Sequence, residues 1–115
     1  MSEPVVTTGV VAVPVGGANI TNGKCSLSRL FLVNTSGSTI WVQIFDLPVA
    51  SVTIGTTNPM WTIPVTPPTV IGHVDIEWAM GLGWLISNRL SLFATTTALG
   101  STDPGAGILA QAWIN

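Results

Sequence analysis

The sequence predicts an all-β protein, an antiparallel two-sheet sandwich with jelly-roll or Greek-key-like connections and seven or eight short strands. Apolar residues occur in short runs or alternate with polar residues, and no stretch has the 3.6-residue period of an amphipathic helix. Glycine, proline, asparagine and serine interrupt these runs about every eight to fifteen residues, which is the spacing typical of strand connections.

The clearest element is a predicted β-hairpin over residues 30–47, in which two apolar runs flank the small residues 34–38. Its second strand alternates. One face carries Ile40, Val42 and Ile44, and the other carries Trp41, Gln43 and Phe45. Two aromatic rings around an uncharged amide are unusual on a surface that faces water. We therefore expect both faces of this strand to be at least partly buried.

The other predicted strands follow from the same two patterns. They cover residues 5–15 (one strand or two), 27–33, 60–65, 70–78, 84–86, 90–94 and 108–114. The last strand alternates like the central one, with Leu109, Gln111 and Trp113 on its non-core face. Residues 48–59 and 95–107 are predicted connections. In this interpretation a single domain comprises an N-terminal arm or edge strand with its loop (1–27) and the sandwich (28–115).

The composition excludes several classes of function. Only 7% of the residues are charged, against about 25% in ordinary soluble domains, and fifteen threonines and nine serines take their place. The net charge is −2 with only three basic residues, whereas binding to phosphate backbones or anionic membranes needs several clustered cations. We expect no nucleic-acid partner and no membrane partner. A weakly charged surface suits a chain that spends its life in contact with copies or partners.

No catalytic residue, cofactor site or metal site is predicted. His73, Asp75 and Glu77 share one strand face and could in principle hold a metal ion, but a solvated or interface-facing polar face has the same pattern. Cys25 has no partner for a disulfide and is interpreted as a small buried hydrophobe. Arg29 is interpreted as a rim residue, with an interface salt bridge as the alternative.

The five tryptophans are many for 115 residues. Three of them are assigned to core packing, whereas Trp41 and Trp113 lie opposite the predicted core face. We expect these two to contact a partner, and a sugar-binding platform is the competing interpretation. The predicted interface set is Trp41, Gln43, Phe45, Leu109, Gln111, Trp113, Val5 and Val6. Val5 and Val6 are included in this set because an N-terminal edge strand could add to a neighbour's sheet.

The N-terminus lacks the positively charged region and the cleavage pattern of a secretory signal, so synthesis and use in a cytosolic setting are expected. The sequons that begin at Asn19 and Asn34 are accordingly interpreted as turn residues.

Several motifs resemble those of small structural proteins of tailed phages, cyanophages included. They are Leu30-Phe-Leu-Val-Asn-Thr-Ser36, Trp41-Val-Gln-Ile-Phe-Asp46, Trp61-Thr-Ile-Pro-Val65, Gly81-Leu-Gly-Trp84 and Leu90-Ser-Leu-Phe-Ala94, followed by a Thr/Asp/Gly loop and a closing strand. The resemblance covers residues 28–115 and is greatest to capsid decoration (cement) proteins. Asn88 and Arg89 depart from the turn that this family usually has.

The resemblance implies a homo-oligomer, most simply a trimer, that is made in the host cytoplasm and binds the major capsid protein on the virion surface. Its function would be to clamp neighbouring capsomers. One alternative is a tail, baseplate or glycan-binding receptor module. Others are a small metal-dependent enzyme built on His73, Asp75 and Glu77, and a lectin-like oligomer outside any virus.

Overall fold

A computed structural model describes residues 6–78, 84–105 and 108–114, and in these ranges it is all-β, as predicted. The described strands are β1 (Val6–Thr7), β2 (Val11–Val13), β3 (Ala18–Asn19), β4 (Cys25–Asn34), β5 (Ile40–Asp46), β6 (Trp61–Val65), β7 (His73–Glu77), β8 (Trp84–Ile86), β9 (Leu90–Thr95) and β10 (Ile108–Ile114). The number exceeds the seven or eight predicted because β1 to β3 are very short and separate.

The strands form two antiparallel sheets. In sheet I the order is β1-β10-β4-β7, with β2 also paired to β10 and β8 to β4. In sheet II the order is β3-β9-β5-β6. The pairs are nested along the chain: β2 with β10, β3 with β9, β4 with β7, and β5 with β6. One long double-stranded ribbon thus alternates between the sheets, and this nesting is the jelly-roll topology.

The hydrophobic core fills the space between the sheets. The inward faces of β5 and β10 are fully or almost fully buried, and they consist of Ile40, Val42, Ile44, Ile108, Ala110 and Ala112. The alternation predicted for both strands is therefore confirmed. Cys25 also belongs to this core, as predicted for a small buried hydrophobe. Burial raises the pKa of its thiol, which disfavours the reactive thiolate.

The predicted hairpin over residues 30–47 is wrong. Strands β4 and β5 lie where the sequence places them, but they belong to different sheets, and residues 35–39 cross from one sheet to the other. The reason lies in Asn34, which is 0% exposed. Its backbone N–H donates to the carbonyl of Gly72 beside sheet I. Its side-chain Nδ2 donates to the carbonyls of Ser38 and of Val65 in sheet II, at 2.8 Å each.

The Oδ1 of Asn34 is also satisfied, because it accepts from the backbone N–H and the hydroxyl of Ser36. Both the donor and the acceptor group of this buried amide are hydrogen-bonded, which fixes residues 35–39 as an arch that crosses between the sheets. A hairpin turn would instead pair β4 with β5 directly.

The N-terminal segment also belongs to the sandwich. β1 and β2 pair with β10 of the same chain, and Ala18–Asn19, which was expected to be loop, forms β3 at the edge of sheet II. The predicted boundary at residue 27 falls inside β4. The one helical segment in the described ranges is the 3₁₀ turn Val49–Ser51, so no helix there is long enough to cross a membrane.

We predict that Asn34→Ala lowers the free energy of unfolding by about 1–3 kcal/mol, because the buried carbonyl of Val65 loses its donor. Urea denaturation followed by tryptophan fluorescence measures this change. The control is Thr35→Ala at the exposed neighbouring position, with an expected effect within about 0.5 kcal/mol. Equal effects of the two substitutions would show that the arch does not depend on the amide.

Candidate interaction surface

The outer face of sheet II is covered by the chain's own connections. Gln43 and Phe45 on β5, and Phe93 on β9, are at most 3% exposed although they point away from the core. The rings of Phe45 and Phe93 meet edge to face, with their centroids 5.2 Å apart. The connections that follow β5 and β9 supply hydrogen-bond partners of the polar side chains on this face, at Leu47, Thr97 and Gly100.

Two hydrogen bonds tie these connections down. The Ser91 hydroxyl donates to the carbonyl of Leu47 at 2.6 Å, and Gln43 Nε2 donates to the carbonyl of Gly100 at 2.9 Å. Nε2 of Gln43 also donates to Thr95 Oγ1, while its buried Oε1 has no partner among the described protein groups. The β2–β3 connection also contacts this face. The backbone at Gly17 lies so close to the Phe93 ring that an added Cβ would clash with the ring.

This cover corrects part of the predicted interface. Gln43 and Phe45 do lie opposite the core face, as predicted, but they are 1% exposed and so are closed to a partner while the connections stay in place. The sequence pattern could place them on the outer face but could not show which segment covers them. Trp41, on the same face, is half-buried.

The outer face of sheet I, by contrast, leaves apolar side chains of β10 and β4 partly exposed. Leu109 is 42% exposed, and it belongs to a shallow groove of about 140 Å³. The groove is lined by Val10, Phe31, Val33, Leu109, Ala110 and Gln111. Val10 is 67% exposed at the rim. Leu109 and Gln111 therefore lie where a partner can reach them.

Trp113 lies on the same face, beside the groove, and Arg29 holds it in place. The pairing of β10 with β4 puts Arg29 opposite Trp113, and the guanidinium lies 4.5 Å from the centre of the indole ring. Asp75 accepts two hydrogen bonds from the same guanidinium, from Nε at 2.9 Å and from Nη2 at 2.7 Å. The hydrogen bond from Arg29 lowers the pKa of Asp75, and the pKa of Arg29 is raised in return.

The face thus combines a partly exposed, mainly apolar groove with a tryptophan whose ring already contacts Arg29 of the same chain. We name it the β10–β4 face and define it by Arg29, Phe31, Val33, Leu109, Gln111 and Trp113. Tryptophan and arginine are the residues most enriched at the energetic centres of protein interfaces, and pre-ordering lowers the entropy lost on binding.

The polar row on β7 borders the β10–β4 face. His73, Asp75 and Glu77 are all exposed, and the His73 ring lies 5.8 Å from that of Phe31. Glu77 extends the Arg29 ion pair at a looser 3.6 Å. Across the described ranges no three His, Cys, Asp or Glu side chains come together in a way that could hold a metal ion. Because Asp75 and Glu77 belong to the same chain as Arg29, the salt bridge of Arg29 is internal and needs no partner.

Two of the predicted interface residues, Val5 and Val6, lie near the N-terminus. Val5 lies outside the described residues. In β1 the backbone of Val6 pairs with that of Ile114 in β10, and the neighbouring Thr7 pairs with Trp113. The N-terminal strand therefore runs along the edge of the β10–β4 face.

Phe31 and Val33 belong to this face but were not among the interface residues predicted from the sequence. They alternate with the core residues Leu30 and Leu32, which is a visible signal, but their position beside Leu109 depends on the pairing register of β4 with β10. That register is not readable from the sequence. Of the three tryptophans assigned to the core, Trp78 and Trp84 pack against it, whereas Trp61 is 41% exposed.

Comparison with known proteins adds no relative. The chain matches no protein-family model, no curated protein and no solved structure. Functional inference therefore depends on the geometry of the chain itself and on the resemblance carried by its motifs.

We predict that Asp75 titrates below the ordinary carboxyl pKa of about 4 and that Arg29→Ala moves its titration back up. Since the folded-state pKa is the lower one, the ion pair is fully formed above the ordinary value and is lost as the pH falls through the folded-state pKa. Carbon-13 NMR of the side-chain carboxyl measures both titrations. An Asp75 titration that is the same in both proteins would contradict the pairing.

Proposed function

We propose that this protein is a structural component of a phage virion that binds the outside of the capsid and stabilises it by clamping neighbouring capsomers. The observation that carries the proposal is the β10–β4 face. It is a partly exposed, mainly apolar sheet surface with a tryptophan in contact with an arginine, on a sandwich whose other outer face is covered by its own chain. Such a face is suited to binding another protein.

Three further features support the proposal. The jelly roll recurs in viral capsid proteins, although it also occurs in lectins and cupins, so the fold alone decides nothing. The motifs between Leu30 and Ala94 resemble those of tailed-phage structural proteins. A low charge density also lets such a chain pack closely against neighbours without strong repulsion.

The proposed mechanism is mechanical and involves no bond-breaking step. The partners are the major capsid protein and two further copies of this chain, which together form a trimer on the virion surface. Each copy contributes a modest contact, and three linked contacts reach an avidity that one alone lacks. A clamp of this kind opposes the outward pressure of the packaged genome.

We predict that Leu109→Arg weakens binding to expanded capsids of the phage that carries the gene by at least about tenfold, because a charge enters the apolar groove. Co-sedimentation with these capsids at a series of protein concentrations measures the loss.

The matched control is Leu99→Arg, the same change at a residue that is 64% exposed in the connection over sheet II. It is expected to bind like the unchanged protein. Loss of binding in Leu99→Arg, with normal binding in Leu109→Arg, would move the contact to the opposite side of the sandwich. If the unchanged protein binds no capsid but binds immobilised glycans, the receptor-module alternative replaces the proposal.

A further inference from the structure

A cluster of three tryptophans lies on the inner side of the sandwich, at one edge, apart from the β10–β4 face. Trp61 lies opposite Ile44 in sheet II, and Trp84 lies opposite Leu27 in sheet I. Residues opposite each other in paired strands share a face, so both indoles point into the space between the sheets. Trp78, which follows β7, completes the cluster. Trp61 is 41% exposed.

The three indoles form the corner of a slot. The centroid of the Trp61 ring lies 6.4 Å from that of Trp78 and 5.8 Å from that of Trp84, and the ring planes meet at 78° and 65°. The centroids of Trp78 and Trp84 are 5.5 Å apart. A cation in the slot would have three indole rings within about 6 Å, the distance over which a ring face attracts a cation.

The slot is about 250 Å³ and is lined by Met60, Trp61, Trp78 and Trp84. These four side chains carry no charge and offer indole N–H groups as donors but no oxygen acceptor. A sugar ring would lose water from several hydroxyl groups that need acceptors as well as donors, and burying them without partners is unfavourable. A quaternary ammonium group has no N–H to satisfy, and aromatic faces attract it directly.

We propose that the Trp61–Trp78–Trp84 slot binds a quaternary ammonium group of the choline type. The thioether of Met60 adds a polarisable apolar wall, and no arginine or lysine is among the described lining residues to repel the cation. The net charge of −2 favours its approach weakly. Free choline and the phosphocholine head group of a lipid share this chemistry, so the test includes both.

The experiment follows the five indole N–H signals of the whole protein by ¹H–¹⁵N NMR while choline is added, with signals assigned from single Trp→Phe variants. We expect saturable shifts of the Trp61, Trp78 and Trp84 signals and unchanged signals of Trp41 and Trp113. The neutral isostere 3,3-dimethylbutan-1-ol has the same shape without the charge, and we expect it to bind at least about tenfold more weakly.

Trp61→Leu keeps an apolar side chain but removes the exposed ring, so choline affinity is expected to fall about tenfold or more. Trp41→Leu is the matched control and is expected to bind normally. If Trp61→Leu does not fold, the comparison of choline with its isostere in the unchanged protein still decides. Co-sedimentation with phosphatidylcholine vesicles, against phosphatidylglycerol vesicles, separates a lipid head group from a free ligand.

Equal affinity for the neutral isostere, shifts caused by methyl glucoside instead of choline, or no shift at all would each overturn the proposal. These outcomes are independent of capsid binding, because Leu109 and the slot residues belong to separate surfaces. A protein that binds capsids but not choline would refute this inference alone.

Discussion

The fold depends on the buried amide of Asn34, at the point where the chain crosses between the sheets. Its backbone bonds to the Gly72 carbonyl beside sheet I, and its side chain bonds to the Val65 carbonyl in sheet II. Each of these groups would be costly to bury without a partner, so this residue adds directional bonds between the sheets to the non-directional apolar packing of the core. The nested strand order then follows along the ribbon on both sides of this crossing.

The second constraint is the difference between the two outer faces. A sandwich this small has two outward sheet surfaces, and in this chain both carry apolar side chains. The connections that hold Gln43 and Ser91 cover one of them, and the resulting contacts are internal. The β10–β4 face has no such cover among the described residues, and there Arg29 orders Trp113. The β10–β4 face is the candidate interaction surface because the other outer face is covered by the chain itself.

The sequence predicted the positions of the strands well, but it did not predict which strands pair with each other. Alternation in β5 and β10 identified their core faces correctly, because the period of two follows directly from strand geometry. It could not show that β4 and β5 separate into different sheets, since a short polar loop between apolar runs has the same composition in an arch and in a hairpin. It likewise could not show that Gln43 and Phe45 are buried on the outer face, because that burial depends on the folded path of the connections.

We propose that partners contact the β10–β4 face while the outer face of sheet II stays covered. Hydroxyl-radical footprinting with mass spectrometry, on the chain alone and with capsids added, distinguishes the two faces. We expect Leu109 and Trp113 to be modified in the chain alone and protected when capsids are added, with Phe45 and Phe93 protected in both samples. If Phe45 and Phe93 become reactive when capsids are added, or if Trp113 reacts equally in both samples, the β10–β4 face is not the contact surface.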